Sequence, residues 1–198
     1  MSDHFVILCG PIASGKSTIE KYFIELGINC IDVDHITKEV QKPRTACWME
    51  LKELLNDDYF DTNGELKRTL VKSLMLTSVY FKMRLESIIH PYVRDSARLA
   101  IRQAKSPYCI LSIPLLIDKN YWNDALAIIV VKASEKVREQ RLIQRDSMTQ
   151  TLAKKAIAAQ PPLADYLALA ELTIDTEETP EQIKSKVLKL HDILSLRI

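Results

Sequence analysis

Gly10-Pro-Ile-Ala-Ser-Gly-Lys-Ser17 fits the pattern G-x-x-x-x-G-K-S, a spacing that suits a loop wrapped around phosphate groups. Each part of the pattern answers a physical need. Backbone N–H groups of the loop must point at anionic oxygens, and Gly15 lets the chain come close to them. Lys16 can neutralise β- and γ-phosphate oxygens. Ser17 can hold Mg²⁺ through its hydroxyl, with Thr18 beside it near the phosphates. Gly10, Pro11, Ile12, Ala13, Ser14, Gly15, Lys16, Ser17 and Thr18 are therefore the expected nucleotide-binding residues, and ATP with Mg²⁺ is the expected ligand. A lone lysine would be read as a solvated side chain; the spacing is what changes its meaning. The chain has only four glycines, and two of them lie in this stretch.

A second group of chemically capable residues closes the run INCIDVD, where Asp32 and Asp34 stand two apart. Strand alternation puts them on the same side, at the carboxyl end of a strand, where open α/β sheets bind ligands. A carboxylate there can accept a proton from an attacking hydroxyl or hold a water on Mg²⁺. Asp34 is equally well placed to cap the helix that follows. Farther along, Arg138, Arg141 and Arg145 are three and four residues apart and share a helix face. Arginine forks clamp phosphate oxygens and can stabilise a phosphoryl group in transfer. The plainer reading of the same stripe is a solvated basic face mixed with Glu135, Glu139 and Asp146.

The elements that must position these residues follow from local pattern. Phe5 to Cys9 is a continuous apolar run, read as a strand buried on both faces. A helix runs from about Lys16 to Leu26, stopped by Gly27, and Ile28 to Val33 is a second strand. Residues from about His35 to Lys105 read mainly as helices. Trp48, Leu51, Leu54 and Leu55 share one apolar face, and Leu70, Leu74, Val79, Leu85 and Ile88 another. Asp61 to Gly64 is a turn. Pro91 is expected to break the pattern and open a new helix at its first position. Strands are expected at Tyr108 to Ile113, Ala127 to Lys132 and Leu172 to Asp175. Helices are expected after Ser134, over about Thr149 to Ala159, and from Thr179 with Pro180 and Gln182 completing a capping box. Strands alternating with helices predict an α/β fold with a five-stranded parallel sheet flanked by helices. The 198 residues are expected to form a single domain. Its core covers about 1–34, 106–133 and 170–198, with a helical insertion at about 35–105 and a lid at about 134–165.

Composition excludes several classes. The chain is 47% hydrophobic and 27% charged with a net charge of +1. No whole-molecule field favours nucleic acid, and no basic-aromatic interleaving is visible. No apolar run is long enough to span a bilayer, and MSDHFVILCG has too short an apolar run and too acidic a flank for a signal peptide. A cytoplasmic monomer is expected, without a nucleic-acid or membrane partner. Cys9, Cys30, Cys47 and Cys109 have no paired spacing and read as reduced thiols packed as small apolar groups. The guanine-reading N-K-x-D sequence of switch GTPases does not occur.

Taken in order, the segments resemble the dephospho-CoA kinase family over nearly the whole chain. GPIASGKST resembles that family's GGIGSGKST, LGINCIDVDHI its LG-x-x-VIDAD-x-I, and NGELKRTL its DG-x-LDR-x-L. LESIIHPYV resembles LE-x-I-x-HP-x-I, SIPLLID resembles IPLLFE, and RLIQRDSMT resembles the lid run RL-x-x-R. AIAAQ and LTID resemble RI-x-x-Q and VIDN. The resemblance implies a P-loop NTPase fold with a helical substrate-binding insertion and a lid. The implied reaction moves the γ-phosphoryl group of ATP to the ribose 3′-hydroxyl of dephospho-CoA. It implies Asp34 as the general base and Arg141 and Arg145 as lid arginines on ATP phosphates. His90, Leu115 and Leu116 would line the acceptor site, and Ser17 would hold Mg²⁺, with Asp32 reaching it through water. The chain departs from the family pattern at Pro11 and Ala13, which replace loop glycines, at Asp118 in place of Glu, at Arg138 in place of Gln and at Thr176 in place of Asn. PPLADYL, after Gln160, lacks the basic residues usual there. Two other readings stay open: a P-loop kinase of another hydroxyl acceptor, such as a nucleotide or shikimate, and a non-catalytic ATP-binding protein on the same fold. Against the second stands the joint presence of Lys16, Ser17, Asp34 and Arg141, since a pure binder has no use for the base.

Overall fold

A computed structural model describes residues 3–113 and 122–198. Five parallel strands form one sheet in the order β2-β3-β1-β4-β5. They are β1 (Phe5–Cys9), β2 (Asn29–Asp32), β3 (Cys109–Ser112), β4 (Ile128–Lys132) and β5 (Leu172–Asp175). β1 is the middle strand, and all five of its residues are buried, which is why its sequence is apolar without alternation. At the carboxyl end of the sheet, Leu8 of β1 is in register with Ser112 of β3, and Ser112 with Asp32 of β2.

The chain divides into two compact units, Met1–Asp32 with Ala100–Ile198 and Val33–Leu99. In the first, α1 (Lys16–Glu25) and α9 (Pro180–Ser195) cover the sheet. Ile19 and Phe23 of α1 join Val6, Leu8, Ile110 and Ile129, along with Ile183, Val187 and Leu194 of α9, in the main core. Gly27, at φ +81°, ends α1: its N–H bonds the Ile24 carbonyl at 2.9 Å, and the Ile28 N–H bonds Phe23 at 3.0 Å. That pair of bonds closes a Schellman motif, which needs a residue tolerant of positive φ. Thr179 and Gln182 form the expected capping box of α9. A hairpin of α6 (Glu135–Asp146) and α7 (Gln150–Ala158), followed by the short α8 (Leu163–Leu167), precedes β5. Ser134 caps α6 and Thr149 caps α7, each accepting a backbone N–H three residues on.

The second unit is helical, with α2 (Val33–Val40), α3 (Ala46–Leu54) and α4 (Arg68–Thr77), and α5 (Val79–Gln103) begins in it. Its core gathers Cys47, Leu51, Leu55, Phe60 and Leu85, with Trp48, Leu54, Leu74 and Ile88 against them. Two expectations fail here. Pro91 does not open a helix but lies inside α5. The amide it lacks would have bonded the Ser87 carbonyl; both residues are exposed, so water can take that acceptor, while Leu85, Ile88, Ile89 and Tyr92 grip the helix on either side. Leu70 and Val79, assigned to an apolar face, are 46% and 74% exposed. Ser78 between α4 and α5 has an extended backbone, which resets the helical phase across the pair. All four cysteines are free thiols. Among the described residues, no helix is long and apolar enough to cross a membrane.

Candidate active site

Between β1 and α1 the backbone runs where side chains cannot follow. A Cβ on Gly10 would stand 2.4 Å from the Val131 carbonyl oxygen of β4. One on Gly15, at φ +95°, would meet the Thr176 side chain at 3.0–3.2 Å. Ser14 N–H bonds the Pro11 carbonyl at 3.1 Å and tightens the turn, and the Ile12 N–H is taken by Gln160 Oε1 at 2.7 Å. The amides of Ala13, Gly15, Lys16 and Ser17 have no acceptor among the described residues. Four open donors at the start of a helix, reinforced by its dipole, form a cradle for anionic oxygens. Ala13 occupies the left-handed region at φ +58°. An alanine pays for that geometry with about 1–2 kcal/mol that a glycine would not lose.

Beside the cradle, Lys16 is already engaged. Its Nζ donates to Ser112 Oγ at 2.5 Å and to Glu20 Oε1 at 3.2 Å, and Ser112 Oγ donates to Glu20 Oε1 at 2.5 Å. Ser17 and Thr18 are exposed in the first turn of α1. One exposed hydroxyl next to open amides suits Mg²⁺, which keeps most of its ligands as water and phosphate and takes few from protein.

From outside, the loop is clasped by three side chains. Arg141 Nη1 donates to the Ala13 carbonyl at 3.1 Å and to Thr176 Oγ1 at 2.8 Å, while Nη2 donates to the Thr176 carbonyl at 2.7 Å. Thr176 Oγ1 in turn donates to the Ser14 carbonyl at 2.6 Å. With the Gln160 bond, residues 12, 13 and 14 are each fastened to the α6–β5 region. The three arginines therefore part company. Arg141 lies against the loop. Arg145 is bound by both its Nε and Nη2 to Asp146 at 2.7 Å, with its side chain 62% exposed; that bond raises the Arg145 pKa and lowers that of Asp146. Arg138, expected on a solvated face, is only 6% exposed. It lies one turn before buried Leu142 on the packed side of α6, and its Nε is without a partner among the described residues.

The two aspartates also separate. β2 ends at Asp32 and α2 begins at Val33, so strand alternation does not extend to Asp34. Asp34 lies in the first turn of α2, past the cap position and where a helix dipole favours a carboxylate. His90 is half-buried in α5. Leu115, Leu116 and Asp118 lie outside the described residues. The sequence reading missed Glu20, Ser112 and Gln160 and gave Thr176 no structural part. Glu20 had one available signal, its position one turn after Lys16 on the same helix face; the others are joined to the loop across about a hundred residues or more, beyond any local pattern.

The family model for dephospho-CoA kinase matches residues 4–182. A dephospho-CoA kinase from Legionella pneumophila (strain Paris) is 34% identical over 184 residues, covering 93% of this chain and 92% of that protein. Among solved structures, TT1252 from Thermus thermophilus superposes with a TM-score of 0.85 at 22% identity, covering 98% of both chains. The dephospho-CoA kinase from Campylobacter jejuni superposes at 0.68 with 19% identity and the same coverage. At those identities the superpositions establish the fold alone, a five-stranded parallel sheet flanked by helices. The family match runs from just before β1 into the first turn of α9 and takes in the cradle, Lys16 and Arg141 on the way, and on that breadth the chain belongs to the dephospho-CoA kinase family.

Proposed function

We propose that this chain transfers the γ-phosphoryl group of ATP to the ribose 3′-hydroxyl of dephospho-CoA, giving coenzyme A and ADP, the last step of coenzyme A biosynthesis. The observation that carries the reading is the set of open amides at Ala13, Gly15, Lys16 and Ser17, in a chain of that family. The amides and the α1 dipole hold the phosphates in place, and Lys16 offsets their charge. Ser17 would hold Mg²⁺, with Asp32 reaching it through water; the ion supplies charge neutralisation on the phosphate oxygens. Asp34 accepts the proton of the attacking hydroxyl. Arg141, anchored through Thr176 and Ala13, adds positive charge beside the loop, and Arg145 joins it on exchanging Asp146 for phosphate.

In the same reading, the segment 134–165 acts as a lid that excludes water as a competing acceptor. The helical segment 35–105 is the acceptor lobe, and His90, Leu115 and Leu116 are assigned to acceptor binding. The enzyme works as a monomer in the cytoplasm, a setting that suits four free thiols. An acceptor panel tests the proposal: ADP release is measured with ATP and Mg²⁺ alone, then with dephospho-CoA, shikimate or a nucleoside monophosphate. Stimulation by dephospho-CoA well above the others is expected. Stimulation by another acceptor instead would remove the assigned substrate while leaving the kinase.

A further inference from the structure

In P-loop enzymes an acid at the end of a neighbouring strand commonly shares Mg²⁺ with the loop hydroxyl. Here β3, one of the two strands paired with β1, ends differently. Ser112 closes β3 in register with Leu8, so a neutral hydroxyl occupies that point. The charge comes instead from α1. Glu20 lies one turn after Lys16, and its Oε1 accepts both Ser112 Oγ at 2.5 Å and Lys16 Nζ at 3.2 Å. The Lys16 and Glu20 side chains are 19% and 20% exposed, so the pair is partly withdrawn from water and its field is only partly screened. Glu20 also follows Ser17 by three residues, on the same side of the helix as the exposed hydroxyl. The pair is bonded to Ser112, the buried strand residue beside the cradle.

We infer that Glu20 is the carboxylate that serves the Mg²⁺ side of this nucleotide site, acting with Ser112 as a relay, and that it holds Lys16 until phosphates take the lysine over. This rests on the assignment of the loop as an ATP·Mg²⁺ site. Its role is that of a positioning residue: it orients metal-bound water and Lys16 and does not itself touch the transferred group. Asp32, in register with Ser112 on the far side of β3, can share the water shell.

The test is calorimetric titration of ADP into the full chain, with and without Mg²⁺, for the wild type and Glu20→Gln. Glutamine keeps the size and an acceptor oxygen, so Lys16 and Ser112 retain a partner and only the charge is lost. Metal-free ADP affinity should hold or improve, since Lys16 loses a competitor. The gain in affinity on adding Mg²⁺ should shrink by about tenfold or more, the usual effect of removing a group that orders a metal's ligands. The double variant Ser112→Asp with Glu20→Gln returns a negative charge to the end of β3 and should recover most of the gain. An undiminished Mg²⁺ gain in Glu20→Gln would overturn the inference, as would an equal loss with and without metal or a double variant no better than the single. Should Glu20→Gln prove too unstable to titrate, Glu20→Asp serves in its place, with a partial loss of the gain expected. A wild type that binds no ADP under either condition would instead remove the nucleotide-site assignment itself.

Discussion

Replacing Thr176 by valine removes one hydroxyl and keeps the side-chain shape. That hydroxyl donates to the Ser14 carbonyl at 2.6 Å and accepts from Arg141 Nη1 at 2.8 Å, and Thr176 is 5% exposed. Valine would leave the Ser14 carbonyl without its strongest partner in a site closed to water, a loss of about 1–3 kcal/mol. Arg141 would keep the Ala13 and Thr176 carbonyls, so its charge is not stranded, and the added methyl recovers somewhat under 1 kcal/mol by burial. The net loss is about 1 kcal/mol, which for a chain of this size lowers Tm by roughly 2–4 °C. The loop would also lose its anchor at Ser14, so KM for ATP should rise while KM for the acceptor holds. Thr176→Ser keeps the hydroxyl and should restore both. Thermal unfolding and steady-state kinetics on the three proteins decide the matter. A valine variant melting within about 1 °C of wild type with an unchanged KM for ATP would refute the clasp, as would a serine variant behaving like valine.

Three further outcomes are expected. Asp34→Asn should keep ATP affinity in calorimetry while turnover falls about 100-fold or more, the scale of losing a general base; turnover near wild type would reduce Asp34 to a helix-terminus carboxylate. Ala13→Gly should raise Tm by roughly 3 °C, about 1 kcal/mol, because φ +58° costs an alanine more than a glycine; a lower Tm would contradict the strain. Burial pushes Cys9 and Cys47 up to about 11 and Cys30 and Cys109 up to about 12, from an ordinary 9.0. Unfolded thiols ionise first as pH rises past 9, so the unfolded chain binds fewer protons than the folded one and stability falls from about pH 9 toward 12. Denaturant midpoints at pH 8 and 10 should show the drop, and Cys109→Ala should reduce it.

What the sequence disclosed was local. The cradle was legible because its residues are consecutive and flanked by a strand and a helix; the same holds for the stop at Gly27 and the capping box at Thr179. Pro91 misled because a proline's local preference yielded to the packing of Leu85, Ile88 and Tyr92 around it, with its missing amide facing an exposed carbonyl. The same-side reading of Asp32 and Asp34 assumed that the strand continued, whereas α2 starts at Val33. Arg138 looked solvated among acidic neighbours, yet its period with Leu142 put it on the buried face. Glu20–Ser112 and Arg141–Thr176–Ser14 join residues distant in sequence, and only the parallel order β3-β1-β4-β5 brings them to one end of the sheet. The resemblance to a family named the residues expected to face phosphate, but it did not say what holds them.

The most direct test is to isolate the product of an ATP·Mg²⁺ and dephospho-CoA reaction and identify it by mass and phosphorus NMR, alongside Lys16→Ala. A single phosphate added to the ribose 3′ position, one per ADP released and absent with Lys16→Ala, is the predicted result. ATP binding without any phosphorylated product, or full product formation by Lys16→Ala, would contradict the account.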